Sequence, residues 1–192
     1  MENKKVPVGL SNRHLHLSKE HVDKLFGKGH ELTEFKALSQ PGQYACEEKV
    51  DLVGPKGTIK GVRVLGPVRK ETQIEISIAD GYSLGIRPPV RDSGDLEGTP
   101  GVKIIGPEGE VDLEQGVIAA ARHIHMHPGD AERFGVKDFQ RVKVRKDGDR
   151  GTVYENVLIR VSPSYALELH LDVEEGNAAS ISNGDLLEMI TD

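Results

Sequence analysis

Two histidine pairs dominate the chemistry this sequence can offer: His14-Leu15-His16 and His123-Ile124-His125, 109 positions apart. In a strand, residues i and i+2 leave the same face about 6–7 Å apart along the backbone. Two imidazoles so placed can converge on one ion at about 2.0–2.1 Å, with Zn²⁺ the usual guest of nitrogen donors. The flanks repeat too. Arg13-His14-Leu15-His16-Leu17 recurs as Arg122-His123-Ile124-His125-Met126, and each copy runs into a short helical signal ending in Phe-Gly, at Phe26-Gly27 and Phe134-Gly135. Each half then carries an alternating strand with a metal-capable residue between apolar ones, Gln73-Ile74-Glu75-Ile76 and Glu168-Leu169-His170-Leu171. One ligand set is therefore His14, His16 and Glu75; the other is His123, His125 and His170. Three protein ligands keep a coordination position open, which is the catalytic arrangement. A lone His-x-His is more often a half-exposed hydrogen-bonding pair. Two copies with matching flanks and a third strand-borne donor each favour metal.

Arg63, Arg69 and Lys70 place three cations just before the Glu75 strand, and the bend expected at Gly66-Pro67 can bring Arg69 near Glu75. A guanidinium offers phosphate oxygens a rigid fork that lysine cannot match; the alternative is a plain surface charge cluster. Cys46 has no evident histidine partner and reads as a small packing residue rather than a nucleophile. His127 precedes Pro128 and suits helix capping, while His21 and His30 read as surface residues. There is no Walker P-loop, no Gly-x-Ser-x-Gly elbow and no Gly-x-Gly-x-x-Gly fingerprint.

The elements that must position these groups are mostly strands. Period-two alternation marks residues 5–10, 49–53, 59–65 and 73–78, then 102–105, 121–126, 141–145, 153–161, 167–173 and 186–190. The Asp147-Gly148 step within residues 145–151 predicts a hairpin connection. Ser18 is placed to cap a helix through Phe26, and Pro128 to start one ending at Gly135. Residues 91–101 form the most loop-like stretch, a connection or an active-site loop. Two β units, each supplying His-x-His plus one further ligand, are the natural reading of the duplication.

Composition narrows the class. The 192 residues can bury a real core, and 22 Gly with 10 Pro are enough to punctuate many strands without implying disorder. A formal charge of −6 argues against a broad nucleic-acid surface. A single cysteine excludes an internal disulfide framework and an all-thiolate metal site. With no 18-residue apolar run and no secretory signal at the start, the expectation is a soluble, intracellular protein without membrane partners.

The run from Pro7 to Ser18 resembles the opening signature of phosphate propanoyltransferases, the PduL-type phosphotransacylases. Gln40-Pro41-Gly42-Gln43-Tyr44, Val64-Leu65-Gly66-Pro67-Val68-Arg69 and Ala121-Arg122-His123-Ile124-His125-Met126 do likewise. The likeness runs from about Val6 to Ile190. It implies a mainly β, pseudo-duplicated fold of two small β-barrel domains capped by short α-helices. The first would span 13–120, with a small insert at about 27–47; the second would span 121–192, completed by the N-terminal strand 3–12. The resemblance also implies a site in the cleft between barrels. One metal would be held by His14, His16 and Glu75 and a second by His123, His125 and His170. Arg69 would be catalytic and bind phosphate, and coenzyme A would be contacted by Ser11, Lys36, Arg63, Leu65 and Asn177. Two Zn²⁺ per chain are expected, with cobalt, iron or nickel as alternatives, and a homodimer. Many microcompartment members carry a longer amphipathic N-terminal extension, so the short segment before His14 points to a free cytoplasmic enzyme.

The expected reaction is acyl-CoA + phosphate ⇌ acyl phosphate + CoA, by direct transfer in a ternary complex, with acetyl and propanoyl as the leading acyl groups. Two other readings stay open on the residues alone. One is a metal-dependent hydrolase or isomerase; the other is a non-catalytic, cupin-like metal- or ligand-binding module. A cupin would carry one His-x-His within a single barrel, which the duplication speaks against.

Overall fold

A computed structural model describes residues 4–191. In chain order the elements are β1 (Lys5–Ser11), β2 (His14–His16), α1 (Lys19–Phe26), β3 (Glu34–Ala37), β4 (Tyr44–Val53), β5 (Thr58–Gly66), β6 (Gln73–Glu75), α2 (Ile78–Leu84), β7 (Val90–Arg91), β8 (Val102–Ile105), β9 (Glu110–Leu113) and β10 (Val117–Ala120). The second half adds β11 (His123–Met126), α3 (Pro128–Phe134), β12 (Arg141–Lys146), β13 (Thr152–Val161), β14 (Glu168–Asp172), α4 (Val173–Ala178) and β15 (Leu186–Ile190). The fold is mainly β, in two related units, as the resemblance implied. No helix among the described residues is long and apolar enough to cross a membrane.

Of the described residues, one unit takes 4–11, Ser39–Pro41 and 121–191. Its strands close into a barrel in the order β1-β14-β11-β13-β12-β15, with β15 returning antiparallel to β1. Val6, Val8, Ile124, Met126, Ile159, Leu169, Leu171 and Leu187 fill it. Because side chains alternate across a strand, burying Ile124 and Met126 inside sends His123 and His125 to the opposite face of β11. Leu169 and Leu171 do the same for Glu168 and His170 on β14.

The other unit comprises Asn12–Leu38 and Gly42–Ala120. It is a curled sheet of nine strands in the order β7-β10-β6-β2-β5-β4-β8-β9, with β3 paired to β4. Leu15, Leu17, Ile74, Ile76, Val62 and Val64 are part of its core, so His14 and His16, Gln73 and Glu75 take the other face. The two units share a topology around the ligand strands. In each, the His-x-His strand lies between an antiparallel neighbour that carries the third ligand (β6 or β14) and a parallel one (β5 or β13).

α1 and α3 start at the expected caps, Ser18 and His127. The strands expected to run on to 78 and 173 stop early, at Glu75 and Asp172, and helices α2 and α4 follow. Both helices are set by capping boxes: Ser77 with Asp80, and Asp172 with Glu175. Each box satisfies two helix-start N–H groups, which overrides the strand period at those points.

Candidate metal centres

The duplication extends to register. His14 faces Glu75 and His16 faces Gln73 across β2–β6; His123 faces His170 and His125 faces Glu168 across β11–β14. Both expected ligand sets come together, each with donor atoms all within 4.8 Å of one another.

In the first set, Nδ1 of His14 meets the Asn12 carbonyl at 2.8 Å and must carry a proton, so in the neutral ring Nε2 is the lone pair, 3.5 Å from Oε2 of Glu75, and in the charged ring it carries the second proton toward that carboxylate. His16 is 2 % exposed and hydrogen-bonds the Leu65 backbone; its Nδ1 is buried with no hydrogen-bond partner. Such an atom costs about 1–3 kcal/mol unless something occupies the position before it. Burial, with the charges of His14 and Arg69, pushes His16 down to about 3, so it is a neutral donor at any physiological pH. Burial also pulls His14 downward, but the charge and hydrogen bond of Glu75 outweigh it and the net shift is upward. A neutral imidazole, an imidazole that trades its proton for a cation, and a carboxylate form a donor set suited to Zn²⁺.

The second set repeats the scheme. Nδ1 of His123 meets the Ala121 carbonyl at 2.8 Å, the counterpart of the His14–Asn12 contact. The three rings lie 4.7–4.8 Å apart by centroid, and Tyr165 stacks on His125 at 4.0 Å. Backbone carbonyls that hold the other ring N–H fix the tautomer of a ligating histidine, and both sets have one.

A second duplicated feature ties the ligand strands together. Arg13, next to His14, forks onto Asp80 at 2.9 and 2.7 Å; Arg122, next to His123, is paired with Glu175. Asp80 and Glu175 are the third helical residues of the two capping boxes. Each arginine therefore locks the start of a His-x-His strand to the helix that follows the third ligand. Burial raises the Glu175 carboxyl more than Arg122 lowers it.

Arg69 lies beside the first set, close enough for its charge to depress both His14 and His16. Its Nη1 is 3.4 Å from Ser93 Oγ, and Ser93 also receives Gln73 Nε2 at 2.8 Å. The loop-like stretch 91–101 thus reaches the first set through Ser93 and Gly94, whose N–H donates to Gln73 at 2.8 Å. Of the expected coenzyme A contacts, Lys36, Arg63 and Leu65 sit on β3 and β5 of the curled-sheet unit. Arg63 pairs in register with His14, donates to the Cys46 carbonyl and covers the Phe35 ring at 4.7 Å. Ser11 and Asn177 belong to the barrel unit, at the end of β1 and in α4.

Cys46 is fully buried, and burial pushes its thiol up to about 11, the environment of a packing residue. His21 and His30 are less superficial than expected. His21 bonds Thr72 at 2.7 Å, and His30 holds the buried carboxylate of Glu48 at 2.7 Å. Gln73, Glu168, Ser93, Tyr165 and the two arginine clamps were not singled out as site residues from sequence. The repeated polar residue two places before each third ligand was the available signal.

A family model described as phosphate propanoyltransferase matches residues 7–182. The phosphate propanoyltransferase of Thermotoga maritima is 61% identical over 95% of this chain and 88% of its own length. That of Rhodobacter capsulatus is 58% identical over 95% and 85%, and that of Salmonella typhimurium 51% over 95% and 87%. An enzyme of the phosphate acyltransferase class is what this likeness describes, and the chain belongs to the phosphate propanoyltransferase family.

Proposed function

We propose that this enzyme interconverts a short acyl-CoA, acetyl or propanoyl, plus phosphate with the acyl phosphate plus CoA, by direct transfer with a divalent ion at each ligand set. The observation that carries the reading is the pair of three-donor clusters in the same strand register, each with its donors within 4.8 Å. Zn²⁺ fits the nitrogen-rich donors best.

His14, His16 and Glu75 would hold the first ion, and His123, His125 and His170 the second. Ions there would supply Lewis acidity and lower the pKa of a coordinated thiol. Arg69 binds the phosphate dianion through its guanidinium fork and is held toward Ser93. A phosphate oxygen attacks the thioester carbonyl carbon, a C–O bond forms, the C–S bond breaks, and CoA leaves as thiolate. Arg69 offsets the negative charge that builds on the reacting oxygens. Orientation of two bound substrates supplies much of the rate. No protein nucleophile is needed, and the buried, raised thiol of Cys46 supports that. Coenzyme A would be met by Lys36, Arg63 and Leu65, with Ser11 and Asn177.

A homodimer is supported by the apolar surface that Ile78 and Tyr82, 53% and 81% exposed, present one helical turn apart on α2. The cytoplasm, where CoA esters are available, is the proposed location. The test is CoA release from acetyl-CoA and propanoyl-CoA with and without phosphate. Release that depends on phosphate and yields acyl phosphate supports transfer; equal release without phosphate would mean a hydrolase.

A further inference from the structure

Ser39–Pro41 belongs to the barrel unit although the strands on either side of it, β3 and β4, do not. Gln40 is 4% exposed, and its carboxamide brackets Ala166. Nε2 donates to the Ala166 carbonyl at 3.1 Å and Oε1 accepts from the Ala166 N–H at 3.3 Å. The same Nε2 reaches Oε2 of Glu168 at 3.2 Å, and Ser39 Oγ donates to that oxygen at 2.6 Å.

Gly9 makes the room. A Cβ at that position would sit 2.7 Å from the carboxyl carbon of Glu168 and 2.8 Å from Oε1, so any side chain there would displace the carboxylate. Gripped in this way, Glu168 places Oε2 2.9 Å from the buried Nε2 of His170. The mutually close donors of this cluster are the three imidazoles, and Glu168 reaches them through the third.

The corresponding position in the other unit is Gln73, which donates to Oε1 of Glu75 at 2.6 Å. Each third donor is therefore held by the residue two places before it, with the chemistry exchanged: an amide behind a carboxylate, and a carboxylate behind an imidazole. Each cluster with its neighbour carries one carboxylate.

Resting on the reading of the clusters as metal sites, we propose that Glu168 is the positioning residue of the second one. Ser39, Gln40 and the space over Gly9 fix it; it orients the His170 ring and supplies the negative charge beside a dication. Partners of this kind are worth about 10–100-fold in metal affinity.

The test is Co²⁺ titration of chelator-stripped protein against a competing chelator, on the parent, Glu168→Gln, Glu168→Asp and His123→Ala. Glu168→Gln should keep one ion at parental affinity and hold the other about 10–100-fold more weakly. The altered Co²⁺ absorption should be the component that His123→Ala lacks, and Glu168→Asp should recover part of the lost affinity. A purely structural role would lower the melting temperature of the stripped protein and leave the ratio of the two affinities unchanged. That result, or parental affinity at both sites in Glu168→Gln, overturns the proposal alone. A parent that takes no ion missing from His123→Ala overturns the underlying metal reading with it.

Discussion

Replacing Arg13 by methionine isolates one of the two clamps and gives a worked magnitude. Arg13 binds Asp80 through Nε to Oδ2 at 2.9 Å and Nη2 to Oδ1 at 2.7 Å, with side-chain exposures of 41% and 10%. Removing one partner of a fully buried pair costs about 3–5 kcal/mol, because the other charge stays buried alone. Exposed pairs are worth only about 0.2–1 kcal/mol, and water reaches much of Arg13. The two limits bracket a loss of about 2 kcal/mol. Urea denaturation of chelator-stripped protein reads it. The Arg13→Met/Asp80→Asn double variant separates the pair from other effects, since the asparagine oxygen can still accept from the Ser77 N–H that Asp80 now holds. The double variant should be less destabilised than the sum of the singles by about 1 kcal/mol or more. β2 is only three residues long, so the loosened start of that strand should also weaken metal binding at His14, His16 and Glu75 and spare the other set. Arg13→Met within about 0.5 kcal/mol of the parent, the range of ordinary surface substitutions, would refute the clamp.

Four other outcomes follow from the same geometry. His123→Ala should lower bound metal from two ions per chain to one; two ions retained would remove the second set. Arg69→Ala should raise the phosphate KM or reduce turnover about 10²–10³-fold, the usual cost of losing one electrostatic donor, with metal content unchanged. Cys46→Ala should retain turnover, and no acyl-enzyme should accumulate with acyl-CoA alone; a trapped thioester would overturn direct transfer. Lowering pH should weaken the first site, because the raised His14 binds a proton that the cation must displace. Without metal the signs differ. His14, raised above 6.5, adds stability below pH 6.5 that is lost as pH rises through its folded value. His16, depressed to about 3, costs stability as pH falls from 6.5 toward 3. pH-resolved metal titration and denaturation check both.

The ligand strands were legible because the same alternation that buries Leu15, Ile74, Ile124 and Leu169 also aligns the polar residues between them. Third donors on separate strands could be read for the same reason. Helices α2 and α4 were not, since their capping boxes sit inside continuing apolar alternation, and the competing signal is only Ser77 to Asp80 and Asp172 to Glu175. β3, β7, β9 and β10, two to four residues long, were not read from the pattern either. The hold of Gln40 on Glu168 joins residues 128 apart, and the space over Gly9 exists only once β1 lies beside β14. Local pattern carries no trace of either.

The most direct test of the whole account couples metal content to transfer in one sample. Protein stripped with chelator should lose phosphate-dependent CoA release. Stepwise Zn²⁺ return should restore it, with full activity at two ions per chain. Stripped protein that turns over at the parental rate would contradict the central claim.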